Sequence, residues 1–347
     1  MVKDDPGIGA WFFLLFDISP AFTRKYRMLK ALQEKVVSGG SLSRDEARSL
    51  TEVSGPDLFE LFATAGSIRA AAGQSAVDLC AIVNAKSGAC PEDCSYCAQS
   101  SKSAAAATIY PLVKKELVIE KAAEAKEAGV RRFCIVTSGR KIGRRELGEI
   151  GEMVRELRSL GLLPCATLGL LDREELRVLK DSGLERYHHN LETSERFFPE
   201  ICRTHTYHDK LKTIEAAHAA GLSVCSGGIF GLGETWDDRI DMAFALRELA
   251  VDSVPINFLI PIRGTSLGAR EFLHPLEALR IVSLYRFILP QKQIRICGGR
   301  IQVLGDFHSM VFMAGADSLL TGNYLTTTGR TYEDDLRLIR LHGLRVA

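Results

Sequence analysis

The sequence carries little net charge and no hydrophobic run long enough to span a membrane. Its 44 basic and 43 acidic side chains leave a formal charge of +1, which gives no general attraction to nucleic acid or to an anionic membrane. The apolar stretch GAWFFLLF is too short to cross a bilayer, and no small-residue cleavage site follows it. We therefore expect a cytoplasmic protein whose partner is a small molecule.

Disulfide pairing does not explain the cysteines. Nine cysteines in 347 residues are too dilute for a secreted disulfide scaffold, and an odd number cannot pair completely. Hydrophobic residues at 46% and charged residues at 25% are ordinary for a soluble globular protein, so composition does not point to a fibrous or disordered chain either. The thiols must therefore serve another purpose.

From residue 77 onward, short apolar segments alternate with longer amphipathic ones, as in VDLCAIVNA, LVIEKAAEAKEAG, RFCIVTS and RELGEIGEMVRELRSLG. The series yields eight strand candidates, and several helices end at a glycine, as in KEAG, RSLG, KDSG and HAAG. No long linker divides it. This pattern predicts an α/β fold, a (β/α)8 TIM-type barrel, with an open doubly wound sheet as the main alternative.

The residues before the barrel form a separate region in this prediction. Residues 1–75 are expected to be an N-terminal extension and helical cap, with capping signals at Ser43 and Asp45, and residues 76–347 the barrel with a C-terminal helix. The stretch up to about Arg27 differs in pattern from the chain after it, because a regular amphipathic pattern begins only at Met28. We therefore hypothesise that translation starts at Met28.

Three cysteines lie close together in KSGACPEDCSYCAQS, at Cys90, Cys94 and Cys97. The spacing C-x3-C-x2-C puts three thiolates on one loop and leaves a metal centre one protein ligand short of four. A structural zinc site normally closes with four protein ligands, so the triplet favours an iron-sulfur cluster with one open iron. A redox-sensitive loop, or a zinc loop completed by a distant residue, is the alternative.

Further polar residues recur about once per βα unit within the apolar strand candidates. They are Cys134, Cys165, Asn190, Cys225 and Asn257, followed by Arg300 after RICGG. In a closed barrel such residues can converge on the interior near the C-terminal mouth. A single strand cysteine is usually a small buried apolar residue, which is how we interpret Cys80 and Cys202. Three thiols at the strand period, with an arginine, instead favour a second cluster.

Taken together, these residues resemble the radical S-adenosylmethionine enzymes, in which an aromatic residue precedes the third cysteine, as in CSYC. More narrowly, residues 40 to 342 resemble the biotin synthase family. The matching stretches include VDLCAIVNAKSGACPEDCSYCAQS, CATLG, YHHNLETS, CSGGIFGLGET, SVPINFLIPIRGTSL and MAGADSLLTGNYLTT. The resemblance implies an enzyme that converts dethiobiotin to biotin by replacing two C–H bonds with C–S bonds.

The resemblance also implies two iron-sulfur centres. The first is a 4Fe-4S cluster held by Cys90, Cys94 and Cys97, with S-adenosylmethionine on its fourth iron. The second is an auxiliary cluster, 2Fe-2S or a variant, that supplies sulfur and is held by Cys134, Cys165, Cys225 and Arg300. Cys297 is a further candidate ligand that would displace Arg300; an ordinary strand cysteine is the equal alternative.

Further contacts and partners are implied by the same resemblance. For S-adenosylmethionine the matching positions are Tyr96, Asn190, Glu192, Gly228 and Gly231, with VTSGR at residues 136–140 expected to help seat the methionine moiety. Asn257 matches an asparagine that contacts dethiobiotin, whereas His188 stands where many relatives have asparagine. Expected partners are a one-electron reductant of flavodoxin or ferredoxin type, the iron-sulfur assembly machinery and a second copy in a homodimer.

Three other functions compete with this one. Another barrel enzyme of the superfamily, similar to a hydrogenase maturase or a methylornithine synthase, would act on a different small substrate. A non-catalytic iron-sulfur redox sensor would release no 5′-deoxyadenosine. A dinucleotide site in CSGGIFGLGETW is disfavoured because the stretch has no acidic residue at the expected position and lies in mid-chain.

Overall fold

Nine parallel strand segments form a closed barrel in the computed structural model, and a tenth pairs with the start of the first strand; the model describes residues 20–73, 76–323 and 329–347. The strands are β1 (Ala76–Lys86), β2 (Arg132–Thr137), β3 (Leu163–Thr167), β4 (Arg186–His188), β5 (Ser223–Cys225), β6 (Gly228–Phe230), β7 (Ser253–Phe258), β8 (Gln293–Ile296), β9 (Ser318–Leu320) and β10 (Arg345–Val346). Strand β9 pairs with β1 and closes the ring. The predicted TIM-type barrel is confirmed, and the open doubly wound alternative is wrong.

The fifth of the eight strand positions is interrupted. Both β5 and β6 pair with β7, and the chain between them leaves the ladder at Ser226 and Gly227. A Cβ atom at Gly227 would lie 2.0 Å from the carbonyl oxygen of Pro255, so only glycine permits this close approach. The single strand expected over LSVCSGGIF is therefore two short strands.

The helices surround the barrel and precede it. They are α1 (Pro20–Val37), α2 (Arg44–Thr51), α3 (Asp57–Ala71), α4 (Lys115–Glu127), α5 (Arg144–Ser159), α6 (Arg173–Asp181), α7 (Phe198–Ile201), α8 (Tyr207–Ala219), α9 (Trp236–Glu248), α10 (Pro275–Ile288), α11 (Arg300–Leu304) and α12 (Tyr332–Leu341). Four helices end before a glycine of positive φ, at Gly129, Gly161, Gly183 and Gly221. The expected C-cap glycines are confirmed.

Three helices lie before the first strand. Ser43 caps α2 in a capping box with Glu46, whereas Asp45 lies in the first turn, where its charge complements the helix dipole. Helix α3 packs against α1 and α10, and α2 packs against α9 and α10. Because α1 begins at Pro20, the helix extends upstream of Met28; the translation start and the boundary at residue 75 stay predictions.

Alternation along each strand separates two interiors. On β1, Leu79 and Ala81 join the main core between the barrel and its helices, whereas Cys80 points to the opposite face. A smaller buried cluster fills that inner face with Cys80, Cys134, Val136, Cys165, Cys297 and Leu320. Within the described ranges, no helix is both long and apolar enough to cross a membrane. The stretch GAWFFLLF lies outside those ranges.

Candidate active site

A cavity of about 410 Å³ lies inside the barrel at the C-terminal ends of the strands. Its lining comes from the loop after β1 and from the ends of β2, β3, β4, β7 and β8. The volume is in the range of small-molecule sites. The chemistry of the cavity is therefore decided by the side chains that these strand ends present.

The loop after β1, residues 87–101 and here called the thiol loop, presents Cys90, Cys94 and Cys97 to the cavity. Two backbone hydrogen bonds close it: the Cys90 N–H donates to Gln99 O at 3.0 Å, and the Ser101 N–H donates to Cys90 O at 2.8 Å. Three soft thiol donors converge from one loop, so the donor set fits an iron-sulfur cluster with one open iron.

The surroundings of Cys94 and Cys97 favour the protonated thiol when no metal is bound. The contact with Cys202 and burial raise the pKa of Cys94, and burial raises the pKa of Cys97. Because only thiolates ligate iron, cluster binding must release these protons.

Five thiols lie deeper, four on the strands and one directly after β8: Cys80, Cys134, Cys165, Cys225 and Cys297, here called the lumen thiols. Cys134 and Cys165 stand directly opposite in the β2–β3 ladder, and Cys225 stands opposite His188. Cys134, Cys165 and Cys297 line the cavity, whereas Cys225 is fully buried and is not part of the lining. Cys80, which the sequence led us to treat as an ordinary buried residue, lines the same cavity. The alternation along β1 could have shown this, because it places Cys80 on the opposite face from Leu79 and Ala81.

The arginine that faces the lumen thiols is Arg295 on β8, and the expectation for Arg300 is not met. Arg295 Nη1 lies 3.8 Å from Cys225 Sγ, and its Nη2 donates to Asp78 at 2.9 Å. Arg300 begins α11, after the chain has turned out of the barrel at Gly299, and it forms a fully buried ion pair with Asp335 at 2.7 Å. The alternation along β8 puts Arg295 and Cys297 on one face, and Arg300 falls outside that strand.

A polar layer with excess positive charge lies at the N-terminal side of the lumen thiols. Its buried arginines are Arg132, Arg186 and Arg295, opposed by Asp78 and Glu185. Among the described residues, Nε and Nη1 of Arg132 are buried donors without a hydrogen-bond partner. Such a layer fits an anionic group, such as a thiolate-ligated cluster, held directly above it.

The charge layer and its neighbours change the acidity of two lumen thiols. Burial acts to raise the pKa of Cys225, but His188 and Arg295 outweigh it and lower the pKa to about 6. The hydrogen bond with Cys134 lowers the pKa of Cys165 to about 7. Both thiols therefore ionise more readily than a free cysteine, which favours metal ligation.

Asn190 and Glu192 line the cavity just beyond β4. The Asn190 side chain accepts from the Gly227 N–H at 3.2 Å and donates to Glu192 Oε2 at 3.3 Å. Glu192 has φ 72, a left-handed conformation that costs a residue other than glycine about 1–3 kcal/mol. The fold thus holds this carboxylate in the cavity against a backbone preference, as is typical of binding sites.

The other expected contacts divide into two groups. Tyr96 and Asn257 line the cavity, and the Asn257 amide bridges Gly228 O and the Gly298 N–H, at 3.2 and 3.0 Å. Gly228 and Gly231 are not part of the lining, although Ile229 between them is. A Cβ at Gly228 would lie 2.4 Å from Glu192 O. Backbone packing is sufficient reason for that glycine.

Sequence reasoning missed two basic residues of the cavity, His205 and Lys210, and included a third, Arg140, only as the end of the stretch VTSGR. Arg140, His205 and Lys210 line it near the thiol loop, and His205 contacts the carboxylate of Glu92 there. Arg140 ends the stretch VTSGR, all of which lines the cavity. No periodic pattern distinguishes these residues from surface charges, because they come from loops and a helix.

Comparisons with known proteins agree with this geometry. The Radical SAM superfamily model matches residues 85–246, and the Biotin and Thiamin Synthesis associated domain matches residues 255–345. Biotin synthase of Thermodesulfovibrio yellowstonii is 54% identical over 83% of this chain and 91% of its own length. The Geobacter metallireducens enzyme is 47% identical over 90% and 96%.

A solved structure supports the fold independently. The crystal structure of methylornithine synthase superposes with a TM-score of 0.80, covering 91% of this chain and 97% of its own, at 21% identity. At that identity the likeness concerns the fold alone. Membership of the radical SAM superfamily implies a 4Fe-4S cluster and S-adenosylmethionine. The chain belongs to the biotin synthase family of radical S-adenosylmethionine enzymes.

Proposed function

We propose that this chain inserts sulfur into dethiobiotin to form biotin. The observation that carries the proposal is the pairing of two thiol sets around one cavity, three thiols on the thiol loop and four of the lumen thiols, Cys80, Cys134, Cys165 and Cys297. When bound, the 4Fe-4S cluster supplies the electron that cleaves S-adenosylmethionine to a hydrogen-abstracting radical, and the auxiliary cluster supplies the sulfur. The remaining roles belong to the side chains of the barrel.

Cys90, Cys94 and Cys97 would hold the 4Fe-4S cluster, because they are the thiols that the thiol loop presents to the cavity. Asn190 and Glu192 would bind the ribose hydroxyls of S-adenosylmethionine. The Asn190 amide already donates a hydrogen bond to the Glu192 carboxylate, so the two side chains lie side by side in the cavity. The carboxylate of the methionine moiety would pair with the nearby cations Arg140, His205 and Lys210. Tyr96, Gly228 and Gly231 remain the positions expected beside the adenine.

The auxiliary cluster would be held by Cys134, Cys165 and Cys225. Arg295 replaces Arg300 as the arginine of this site, because it touches Cys225. A guanidinium is normally protonated and has no lone pair to offer, and Arg295 also pairs with Asp78, so neutralising cluster charge is the role its contacts support first. Cys297 lines the same space and is the further candidate ligand, which leaves 2Fe-2S or a variant as the composition.

Dethiobiotin would lie between the two thiol sets, near Asn257. The Asn257 amide is held at both ends by backbone groups, so it presents a fixed polar edge to a ureido ring without needing to reorient. Apolar residues of the lining, among them Ile82, Val136 and Leu320, exclude water from the space in which a carbon radical would form.

The wider setting is inferred from the chemistry. A one-electron reductant of flavodoxin or ferredoxin type would feed the 4Fe-4S cluster, and iron-sulfur assembly machinery would build and restore both centres. We further propose a homodimer that works in the cytoplasm.

Anaerobic reconstitution with iron and sulfide, followed by a biotin assay with dethiobiotin, S-adenosylmethionine and a reductant, tests the function. We expect both biotin and 5′-deoxyadenosine. Release of 5′-deoxyadenosine without biotin would favour another enzyme of the superfamily. The absence of both products from fully loaded protein would favour a redox sensor.

A further inference from the structure

A second pocket, of about 340 Å³, lies against the thiol loop and is here called the outer pocket. Its lining comes from the thiol loop, the chain just after it and two other segments, at residues 93–95, 100, 102–103, 200–203 and 265–266. Cys94 is the one described residue that lines both the outer pocket and the cavity of the barrel. The two spaces are therefore separated by the thiol loop at Cys94.

This position makes the outer pocket a short route to the 4Fe-4S cluster. In the proposed function Cys94 ligates that cluster, so a molecule in the outer pocket would be one residue away from it. S-adenosylmethionine and dethiobiotin would fill the cavity on the other side of the loop, which leaves no room there for a carrier protein. Because electron transfer through protein slows steeply with distance, the outer pocket is the favourable side for a donor.

Backbone hydrogen bonds hold the outer pocket in shape. The Ser95 N–H donates to Ile201 O at 2.9 Å, which joins the thiol loop to the second segment of the lining. The Ala104 N–H donates to Gly264 O, also at 2.9 Å, and the Ser103 hydroxyl donates to the same oxygen at 3.1 Å. A preformed surface costs a docking partner less ordering than a flexible one.

The lining of the outer pocket presents more positive than negative charge to solvent. The side chains of Lys102 and Arg203 are exposed, and Glu200 is the exposed acid. The Asp93 carboxylate also belongs to the lining, but it accepts hydrogen bonds from the N–H groups of Arg203 and Thr204, at 2.9 and 3.1 Å. Its charge is therefore largely compensated within the chain, and the accessible surface favours an acidic partner.

The remainder of the lining is small and polar. Five of its residues carry a hydroxyl: Ser95, Ser100, Ser103, Thr265 and Ser266. Electron-transfer encounters between proteins bury little area, and their partners separate quickly. A hydroxyl-lined pocket suits such a contact, whereas a stable assembly would need an apolar centre.

We propose that the outer pocket is the docking surface for an acidic protein that carries one electron, and that this electron enters the 4Fe-4S cluster through Cys94. The carrier is oxidised by one electron and the cluster is reduced by one, and no bond forms or breaks. The inference rests on the proposed function, but only on its 4Fe-4S cluster and its protein reductant. It does not depend on dethiobiotin as the substrate.

Binding of oxidised flavodoxin, an acidic one-electron carrier, to reconstituted full-length enzyme tests the docking surface. We compare the Kd of wild type and of K102E/R203E by isothermal titration calorimetry at low ionic strength. Reversal of both charges should weaken binding at least about tenfold, because complementary charges steer and hold the partner. E200K, which removes the exposed acid, should tighten binding. Equal Kd values in wild type and K102E/R203E would overturn the proposal.

A matched charge reversal separates docking at this surface from the effect of net charge. R177E/K180E changes the charge of the chain by the same amount at exposed positions of α6, and it should leave the Kd unchanged. An equal loss of binding in this variant would also overturn the proposal. If K102E/R203E fails to load the cluster, K102Q/R203Q, which only removes the two charges, decides by the same comparison of Kd values.

Electron entry is measured separately, as the rate at which prereduced flavodoxin is oxidised by enzyme loaded with S-adenosylmethionine. K102E/R203E should slow this rate by about tenfold, whereas 5′-deoxyadenosine formation driven by dithionite, a small reductant, should not change. An equal fall with both reductants would mean that the two residues serve the cluster itself, and the proposal would be wrong. A wild-type chain that binds no 4Fe-4S cluster would instead contradict the proposed function.

Discussion

The thiol loop and the lumen thiols, which in the proposed function both bind iron, are built in different ways. The loop set spans eight residues, Cys90 to Cys97, and local backbone hydrogen bonds shape it. The lumen set spans Cys80 to Cys297 and is aligned by the register of neighbouring strands. The first depends on one turn of chain and the second on closure of the whole barrel. A substitution in either set should therefore affect one centre and spare the other.

The sharpest test of the loop set is C97S. Without the third thiolate the loop offers only two cysteine ligands, so we expect loss of the 4Fe-4S cluster and a fall of 5′-deoxyadenosine formation to the no-enzyme level. Chromatographic measurement of 5′-deoxyadenosine, with iron counts, checks it. The lumen set provides the control, because iron bound at Cys134 and Cys165 should persist. A C97S protein that still releases 5′-deoxyadenosine would contradict the ligand assignment.

The converse variant is C165S in the lumen set. We expect biotin formation to cease, because the sulfur source is lost, while cleavage of S-adenosylmethionine stays within about tenfold of wild type. The reason is that Cys165 belongs to β3 and makes no contact with the thiol loop through the β-ladder. Parallel assays of biotin and 5′-deoxyadenosine check the split. Equal loss of both products would mean that the two sets are one functional unit.

Variants of Arg300 and Arg295 test which of the two arginines belongs to the site of the lumen thiols. R300M removes one partner of a fully buried ion pair, so we expect a loss of about 3 kcal/mol in the free energy of unfolding. R295M should instead change the spectrum of the auxiliary cluster. Arg330 also approaches the Asp335 carboxylate, at 3.4 Å. Because this second cation remains in R300M, we expect the loss of unfolding free energy to stay near the low end of the range for a broken buried ion pair.

Chemical denaturation of the anaerobic proteins measures the R300M effect. The exposed pair Arg145–Glu149 provides a control, because R145M should cost less than about 1 kcal/mol. An R300M enzyme that folds with normal stability but lacks the auxiliary cluster would show that Arg300, and not Arg295, is the arginine of this site.

The same contrast explains what could be predicted from the sequence. Cys90, Cys94 and Cys97 were readable because their spacing is local, and the barrel because its strand and helix rhythm repeats eight times. Arg295 was missed because choosing between two nearby arginines requires knowing where β8 ends, and the turn at Gly299 decides that.

The smallest expected effect concerns Glu192, which lines the same cavity and belongs to neither thiol set. E192A should raise the KM for S-adenosylmethionine by the cost of a charged hydrogen bond, about 1.5–3 kcal/mol, because the carboxylate is expected to bind the ribose. Iron counts of both centres should not change. E195A, which removes an exposed carboxylate three residues along the chain, is the control and should leave KM unchanged.

The E192A variant distinguishes a binding role from a catalytic one, because the first changes KM and the second changes kcat. A ribose contact is made equally before and during the cleavage of S-adenosylmethionine, so KM should rise while kcat stays close to wild type. E192Q keeps the shape and the left-handed backbone but loses the charge, so it should show the same rise in KM. If kcat fell instead, with KM unchanged, Glu192 would act in the chemical step. Its role would then be in the radical reaction rather than in the binding of S-adenosylmethionine.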